Sequence, residues 1–220
     1  MRRILKELPY VRDTWRSVKK VRKAFFRKFG VQIFRRRLAA APTKRIVIGA
    51  GFKNDPGWIP SQIEFLNLLK PEDWSRFFQP ASIDAMLAEH VWEHLTAEEG
   101  SAAASLCFKY LKPSGYLRVA VPDGYHPNPD YHEWVRVGGA SPMQIANGHK
   151  VLYTHDAIRS LFERSGFRVK LFEYFDGAGT FHDHEWDEKA GKIWRSKRFD
   201  KRNVGGELVF TSIVLDAVKD

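Results

Sequence analysis

Apolar positions recur along this chain in two rhythms, one of strands and one of helices. Arg45-Ile46-Val47-Ile48 is a short β-branched run that stops at Gly49-Ala50-Gly51. It reads as a buried strand followed by a sharp turn, because glycine lets backbone bend and approach a ligand closely. Strand patterns also fall at 62–67, 83–88, 116–121, 168–174 and 207–217, and helical patterns at 71–78, 91–111 and 155–165. Thr154 and Gly166 bracket the last helix as start and stop signals. Lys112-Pro113-Ser114-Gly115 is a turn between a helix and a strand. This order predicts an α/β fold: a Rossmann-like, mostly parallel sheet with helices on both faces. Its ligand site is expected at the carboxyl ends of the strands.

The N-terminal stretch has another character. Trp15, Val18, Val21, Phe25, Phe26 and Phe29 recur at helical spacing among Lys and Arg, which predicts a basic amphipathic helix with Gly30 as its stop. Pro42 marks a boundary, giving a basic helical arm over 1–44 and an α/β body over 45–220. The formal net charge of +10 belongs to that arm: residues 1–45 hold 16 Lys and Arg against Glu7 and Asp13. The body is mildly acidic, so a uniformly basic nucleic-acid-binding domain is not what the charge describes. Three uses of the arm compete. Its aromatic stripe packs on the body; or residues 1–40 dock on an anionic membrane surface, where each basic residue contributes about 1 kcal/mol; or they meet a phosphate-rich partner such as RNA.

The chain has 220 residues and is 44% apolar, enough for a core without disulfides or metal. The single cysteine, Cys107, sits in an apolar helical run and leaves no disulfide partner within the chain. No apolar run approaches transmembrane length. The early arginines lack the apolar stretch and cleavage site of a signal peptide. A cytoplasmic protein is expected, peripheral at the inner membrane face if the arm docks there.

Three segments in this order resemble a known family. They are the glycine turn, Asp84-Ala85-Met86-Leu87-Ala88-Glu89-His90-Val91-Trp92-Glu93-His94, and Leu111 to Asp123. His149-Lys150-Val151-Leu152-Tyr153 ahead of a helix ending in Ser165-Gly166-Phe167 adds to the likeness. Over roughly residues 45–215 the chain resembles class I S-adenosylmethionine-dependent methyltransferases of the small type 11-like kind. The resemblance implies S-adenosylmethionine as cofactor, held by Gly49, Ala50 and Gly51, with Glu89 and His90 beside it. At the two positions where the family usually carries acids for the ribose and adenine, the best matches are Gln62 and Asn67, both amides. The stretch from Gly51 to Ile83 is too short for the usual helix, strand, helix and strand. A loop over 52–58 therefore replaces the first helix, with Trp58 either stacked near the cofactor or capping the core.

Methyl transfer from a sulfonium is an in-line displacement. The protein aligns the acceptor, excludes water and, for a hydroxyl acceptor, removes a proton. Candidate acid–base groups at the carboxyl edge are Glu89, His90, Asp123 and His126, with His90 or His126 as the base. Acceptor recognition is expected from His94, Tyr125, His126, Trp134, His182, Arg195 and Arg198, which lie in polar–aromatic stretches. The acceptor itself stays open: a sugar hydroxyl on a cell-envelope glycan, a lipid-linked intermediate, a small metabolite or an RNA base. Two other readings compete. His90-Val91-Trp92-Glu93-His94 matches the H-x-x-E-H zinc-peptidase pattern, with Glu163 or Glu173 as third ligand. Alternatively, the two amides mark a catalytically degenerate, methyltransferase-like adaptor tethered by its arm.

Overall fold

The computed structural model describes Val21, Phe25 and residues 29–51, 55–139 and 148–220. The expectations for Trp15, Val18, Phe26 and the loop at 52–54 lie outside these residues. Seven strands form one sheet: β1 (Arg45–Val47), β2 (Ile59–Pro60), β3 (Ile83–Glu89), β4 (Leu111–Pro122), β5 (Arg168–Phe175), β6 (Phe181–Asp183) and β7 (Ser212–Val218). Their order is β2-β1-β3-β4-β7-β5-β6. β1 pairs in parallel with β2 and β3, and β3 with β4. β7 runs antiparallel between β4 and β5, and β6 antiparallel on β5. Five of the seven strands therefore share one direction, and the fold is a Rossmann-like α/β fold whose sheet is parallel through β2-β1-β3-β4 and antiparallel beyond β4.

The strands read as nearly continuous apolar runs because both faces of the sheet are covered. Ile46 and Ile48 enter one core while Val47 enters the other. Leu117, Val119 and Val121 likewise oppose Tyr116 and Ala120. The larger core lies under the helices α1 (Val31–Ala40), α2 (Pro71–Ser75), α3 (Ala97–Tyr110) and α5 (His155–Arg164). There Trp74 stacks on Tyr110 with centroids 5.2 Å apart, and Trp92 meets Phe162 at 5.2 Å. α4 (Pro129–Val135) buries Tyr131 and Val135 against Phe210 in a small separate cluster.

The second face differs from expectation. Its cover among the described residues is an irregular segment with one short 3-10 turn, Glu188–Ala190, which lays Trp186, Ile193 and Phe199 on Val47, Leu87, Ala120 and Val214. A buried ion pair pins it. Arg118 donates Nε to Asp216 Oδ1 at 2.8 Å and Nη2 to Oδ2 at 2.9 Å, while Nη1 reaches the carbonyls of Asp187 and Gly191. The same guanidinium lies 5.2 Å from the Trp186 ring centre. Helical periodicity could not announce this cover, because an arginine on a strand and carbonyls in a loop carry it.

Several boundaries move. Gly30 does not stop the arm helix: it has helical dihedrals (φ −57°, ψ −40°) and leads directly into α1. From α1, Phe34 is buried against Phe65, Phe77 and Phe78, a contact of about 1.5–3 kcal/mol by burial. The strand expected over 62–67 is a series of turns, with Phe65 and Leu66 amides bonding back to the Gln62 carbonyl. Its strand is the two-residue β2 just before, where Pro60 is tolerated at the sheet edge. The helix expected from 91 starts at Ala97. Thr96 and Glu99 form a reciprocal capping box, which the spacing Thr96-x-x-Glu99 already spells out. The last strand begins at Ser212 rather than 207, because the Asn203 side chain bonds both backbone groups of Phe210 and holds that stretch off the sheet.

Candidate functional site

In the chain β1 is followed by its neighbour on one side, β2, and later by its neighbour on the other side, β3. The strand order therefore reverses between β1 and β3, and open α/β sheets bind ligands outside the carboxyl ends of strands at such a point. A cavity of about 440 Å³ lies there, within the usual range for small-molecule sites. Ile48 and Gly49 after β1, and His90 and Val91 after β3, form its two sides. Leu66, Asn67 and Leu69 line it from the turns after β2, and His94, Glu99 and Lys150 supply further polar groups.

Local backbone chemistry explains the mouth. The Ile48 amide still bonds the Leu87 carbonyl at 2.8 Å, then Gly49 and Gly51 turn the chain at φ +60° and +61°. A Cβ on Gly49 would stand 3.3 Å from Val91 Cγ2, whereas one on Gly51 would meet nothing within 4 Å. Gln62 donates Nε2 to the Gly51 carbonyl at 2.8 Å and so clamps the turn from below. Asn67 lines the cavity while its Oδ1 accepts from the Leu69 amide at 2.9 Å. Ala50 is buried in the second-face core and bonds the Ser61 carbonyl. Trp58 does not flank the cavity. It sits in the second-face core against Gly191, as a loop aromatic closing that side.

His90 leaves β3 in the left-handed region, φ +56°, a conformation uncommon for a residue with a Cβ. Three bonds hold it there. Its amide reaches the Ala120 carbonyl at 2.8 Å, Nδ1 lies 3.0 Å from Glu93 Oε1, and Nε2 lies 3.0 Å from Ser212 Oγ. Glu93 is completely buried, and burial pushes its carboxyl up to about 8. Residues Trp92–His94 form a single 3-10 turn, so His90 and His94 do not stand one α-helical turn apart. The zinc-peptidase geometry is thus not formed. Its proposed third ligands are elsewhere: Glu163 pairs with Arg159 on α5, and Glu173 accepts from Trp186 Nε1 and the Lys197 amide. Instead Glu93 and His94 come together with His149, their ligand atoms all within 4.8 Å of one another.

The remaining candidates disperse. Glu89 accepts from the Trp194 and Arg195 amides at 3.2 and 2.8 Å, anchoring the second-face segment to the end of β3. Asp123 is fully buried and accepts from the Tyr125 and Phe175 amides; burial raises its carboxyl to about 6. His126 stacks on Tyr131 at 3.9 Å, and burial lowers it to about 4. Neither lines the cavity. Tyr125 edges against His155, Trp134 packs on the small cluster around Tyr131, and His182 bonds Asp176 at 2.8 Å. Arg198 lies over Trp186 and Phe199, and Arg202 pairs with Asp200. Pattern reading gave no functional part to Ser212, nor to His149 and Lys150, which it used only as part of the 149–153 segment. The buried Ser212 follows an apolar run, and only strand pairing brings it to His90.

No family model matches the chain, and no curated protein matches it. Solved structures do resemble it in shape. One is a SAM-dependent methyltransferase from Archaeoglobus fulgidus, 16% identical, covering 91% of this chain and 94% of that one, with a TM-score of 0.42. Another, from Thermotoga maritima, is 13% identical over 93% and 97%, with a TM-score of 0.46. A third is Haemonchus contortus phosphoethanolamine N-methyltransferase 2 with S-adenosyl-L-methionine, 13% identical over 80% of this chain and 49% of that one, with a TM-score of 0.44.

Proposed function

We propose that this protein is a S-adenosylmethionine-dependent methyltransferase whose cofactor occupies the cavity between β1 and β3. The observation that carries the reading is the cavity's position: it opens at the strand-order reversal and is bounded by a glycine whose Cβ would press on its wall. Gly49 lets the backbone approach, Asn67 offers a polar contact, and Leu66, Leu69 and Val91 give an apolar wall suited to a flat base. When bound, the cofactor supplies an electrophilic methyl group. Among the candidate bases His90 is favoured over His126, because His90 lines the cavity and His126 is buried elsewhere with a depressed affinity for protons. Glu93 and Ser212 hold the two ring nitrogens, so His90 would take a proton from an acceptor hydroxyl by exchanging its Ser212 contact for that hydroxyl. Hydrogen exchange with and without S-adenosylhomocysteine tests this. Protection is expected at amides 48–51 and 89–95, and its absence at saturating ligand ends the reading.

One observation favours a second reading, a non-enzymatic relative. Gln62 donates Nε2 to the Gly51 carbonyl, and the position carries a neutral amide where the resembled family usually has an acid for the ribose. The same exchange experiment separates the two, because the adaptor shows no protection.

For the arm we propose docking on an anionic membrane surface. Val21, Phe25, Phe29 and Ile33, spaced four residues apart, are 70%, 47%, 45% and 39% exposed, and Arg35, Arg36 and Arg37 follow. The acceptor would then be presented at that surface. Sedimentation with vesicles containing anionic lipid, but not with neutral ones, is expected for the full chain and is lost on deleting residues 1–29, which leaves α1 and its buried Phe34 in place. Equal sedimentation of the truncated chain contradicts it.

A further inference from the structure

We propose that Glu93, His94 and His149 bind one divalent first-row transition ion, with zinc the best match to two imidazoles and a carboxylate. The three donor atoms already lie within 4.8 Å of one another. His149 Nε2 stands 3.9 Å from Glu93 Oε1. Donors about 2.0–2.2 Å from a tetrahedral ion are roughly 3.3–3.5 Å apart, so this pair needs about half an ångström of adjustment and the widest separation in the set up to about 1.5 Å.

The imidazoles are oriented for the task. His94 Nδ1 lies 3.1 Å from the Gly148 carbonyl, and His149 Nδ1 lies 2.9 Å from the Val135 carbonyl. A carbonyl only accepts, so each Nδ1 carries the proton and each ring presents its lone pair at Nε2. Metal-binding histidines are fixed in this way, by a second bond from the other nitrogen. The two segments are also locked together, since the Glu93 carbonyl accepts from the Lys150 amide at 2.7 Å and the Val151 amide at 3.3 Å.

Glu93 supplies the independent observation. Its side chain is completely buried, and its Oε2 has no hydrogen-bond partner among the described residues. Oε1 faces His90 Nδ1 at 3.0 Å, and Oε2 is left for the ion. Burial disfavours the ionised form of this carboxyl, and a bound cation is the partner that would stabilise it. Because half-buried His94 also lines the cavity, the ion would sit at the cavity's rim with an open coordination position.

The test uses the full chain, stripped with a chelator and dialysed into metal-free buffer. Zinc is measured by equilibrium dialysis, and cobalt(II) is used as a visible-absorption probe. One zinc per chain at micromolar concentration is expected, with a cobalt spectrum of tetrahedral intensity. His94→Ala, on the half-exposed rim, should bind at least tenfold more weakly while keeping its circular dichroism. Glu93→Gln and His149→Gln should do the same where they fold, and His184→Ala should bind as wild type. Absence of stoichiometric zinc in the wild-type chain, or unchanged affinity in His94→Ala, overturns the site. Neither cofactor nor acceptor enters this measurement, so its failure leaves the methyl-transfer reading standing.

Discussion

Replacing Gly49 and Gly51 separately with alanine distinguishes backbone strain from close approach at the cavity mouth. Both residues adopt φ near +60°, so either substitution puts a Cβ in the left-handed region at a cost of about 1–2 kcal/mol. For a chain of this size that lowers Tm by roughly 2–8 °C. Only Gly49→Ala adds a steric term, because its Cβ would stand 3.3 Å from Val91 Cγ2 and that side chain must give by a few tenths of an ångström. Gly51→Ala meets open space. Thermal melts should therefore show a larger loss in Gly49→Ala. Titration with S-adenosylhomocysteine should show affinity falling further there than in Gly51→Ala, because Val91 is cavity wall. Equal losses of Tm and of affinity in the two variants would refute the argument that Gly49 is present for close approach.

Other outcomes follow from buried groups. Asp123, raised to about 6 by burial, stabilises the fold below the unfolded value near 4 and loses that contribution as pH rises to 6, a change of about 3 kcal/mol. Asp123→Asn should remove this slope in urea melts taken between pH 4 and 6, and an unchanged slope contradicts it. His126 acts in the opposite sense. Its value is lowered to about 4, so its contribution is present above 6.5 and lost as pH falls towards 4, and His126→Asn should flatten that arm of the profile. Arg118→Met leaves Asp216 without its bidentate partner beneath the second-face segment, and should cost about 3–5 kcal/mol in urea unfolding. Thr96→Ala removes one half of the α3 capping box and should cost about 1 kcal/mol, read as a Tm fall of roughly 2–4 °C.

The glycine turn after Ile48 and the strands at 83–88 and 116–121 were legible because buried parallel strands write themselves as apolar runs. Thr154 and Gly166 marked α5 for equally local reasons. The short β2 was misplaced because only pairing with β1 makes Ile59 and Pro60 a strand, while Phe65 and Leu66 bury through turns. The second-face cover was hidden for the same reason, since Arg118 reads as a solvent-facing strand residue until its partners Asp216 and Gly191 are in place. His90 and Gly49 line the cavity, where their position after strands places them. Asp123 and His126 also follow a strand at that edge, yet tertiary packing commits them to backbone amides and a stacked ring, and Trp58 takes the core-capping place of its two readings. Ser212 and His149 could be found only once β7 and the 148–151 segment had folded against the end of β3.

Methyl transfer by this protein requires a nucleoside-sized ligand to enter between β1 and β3. Isothermal titration calorimetry of the full chain with S-adenosylhomocysteine tests it directly, alongside a Val91→Trp variant that fills the cavity. One site per chain with micromolar affinity, abolished in Val91→Trp, is the predicted result. No heat from a well-folded sample at millimolar ligand, or undiminished binding in Val91→Trp, would contradict it.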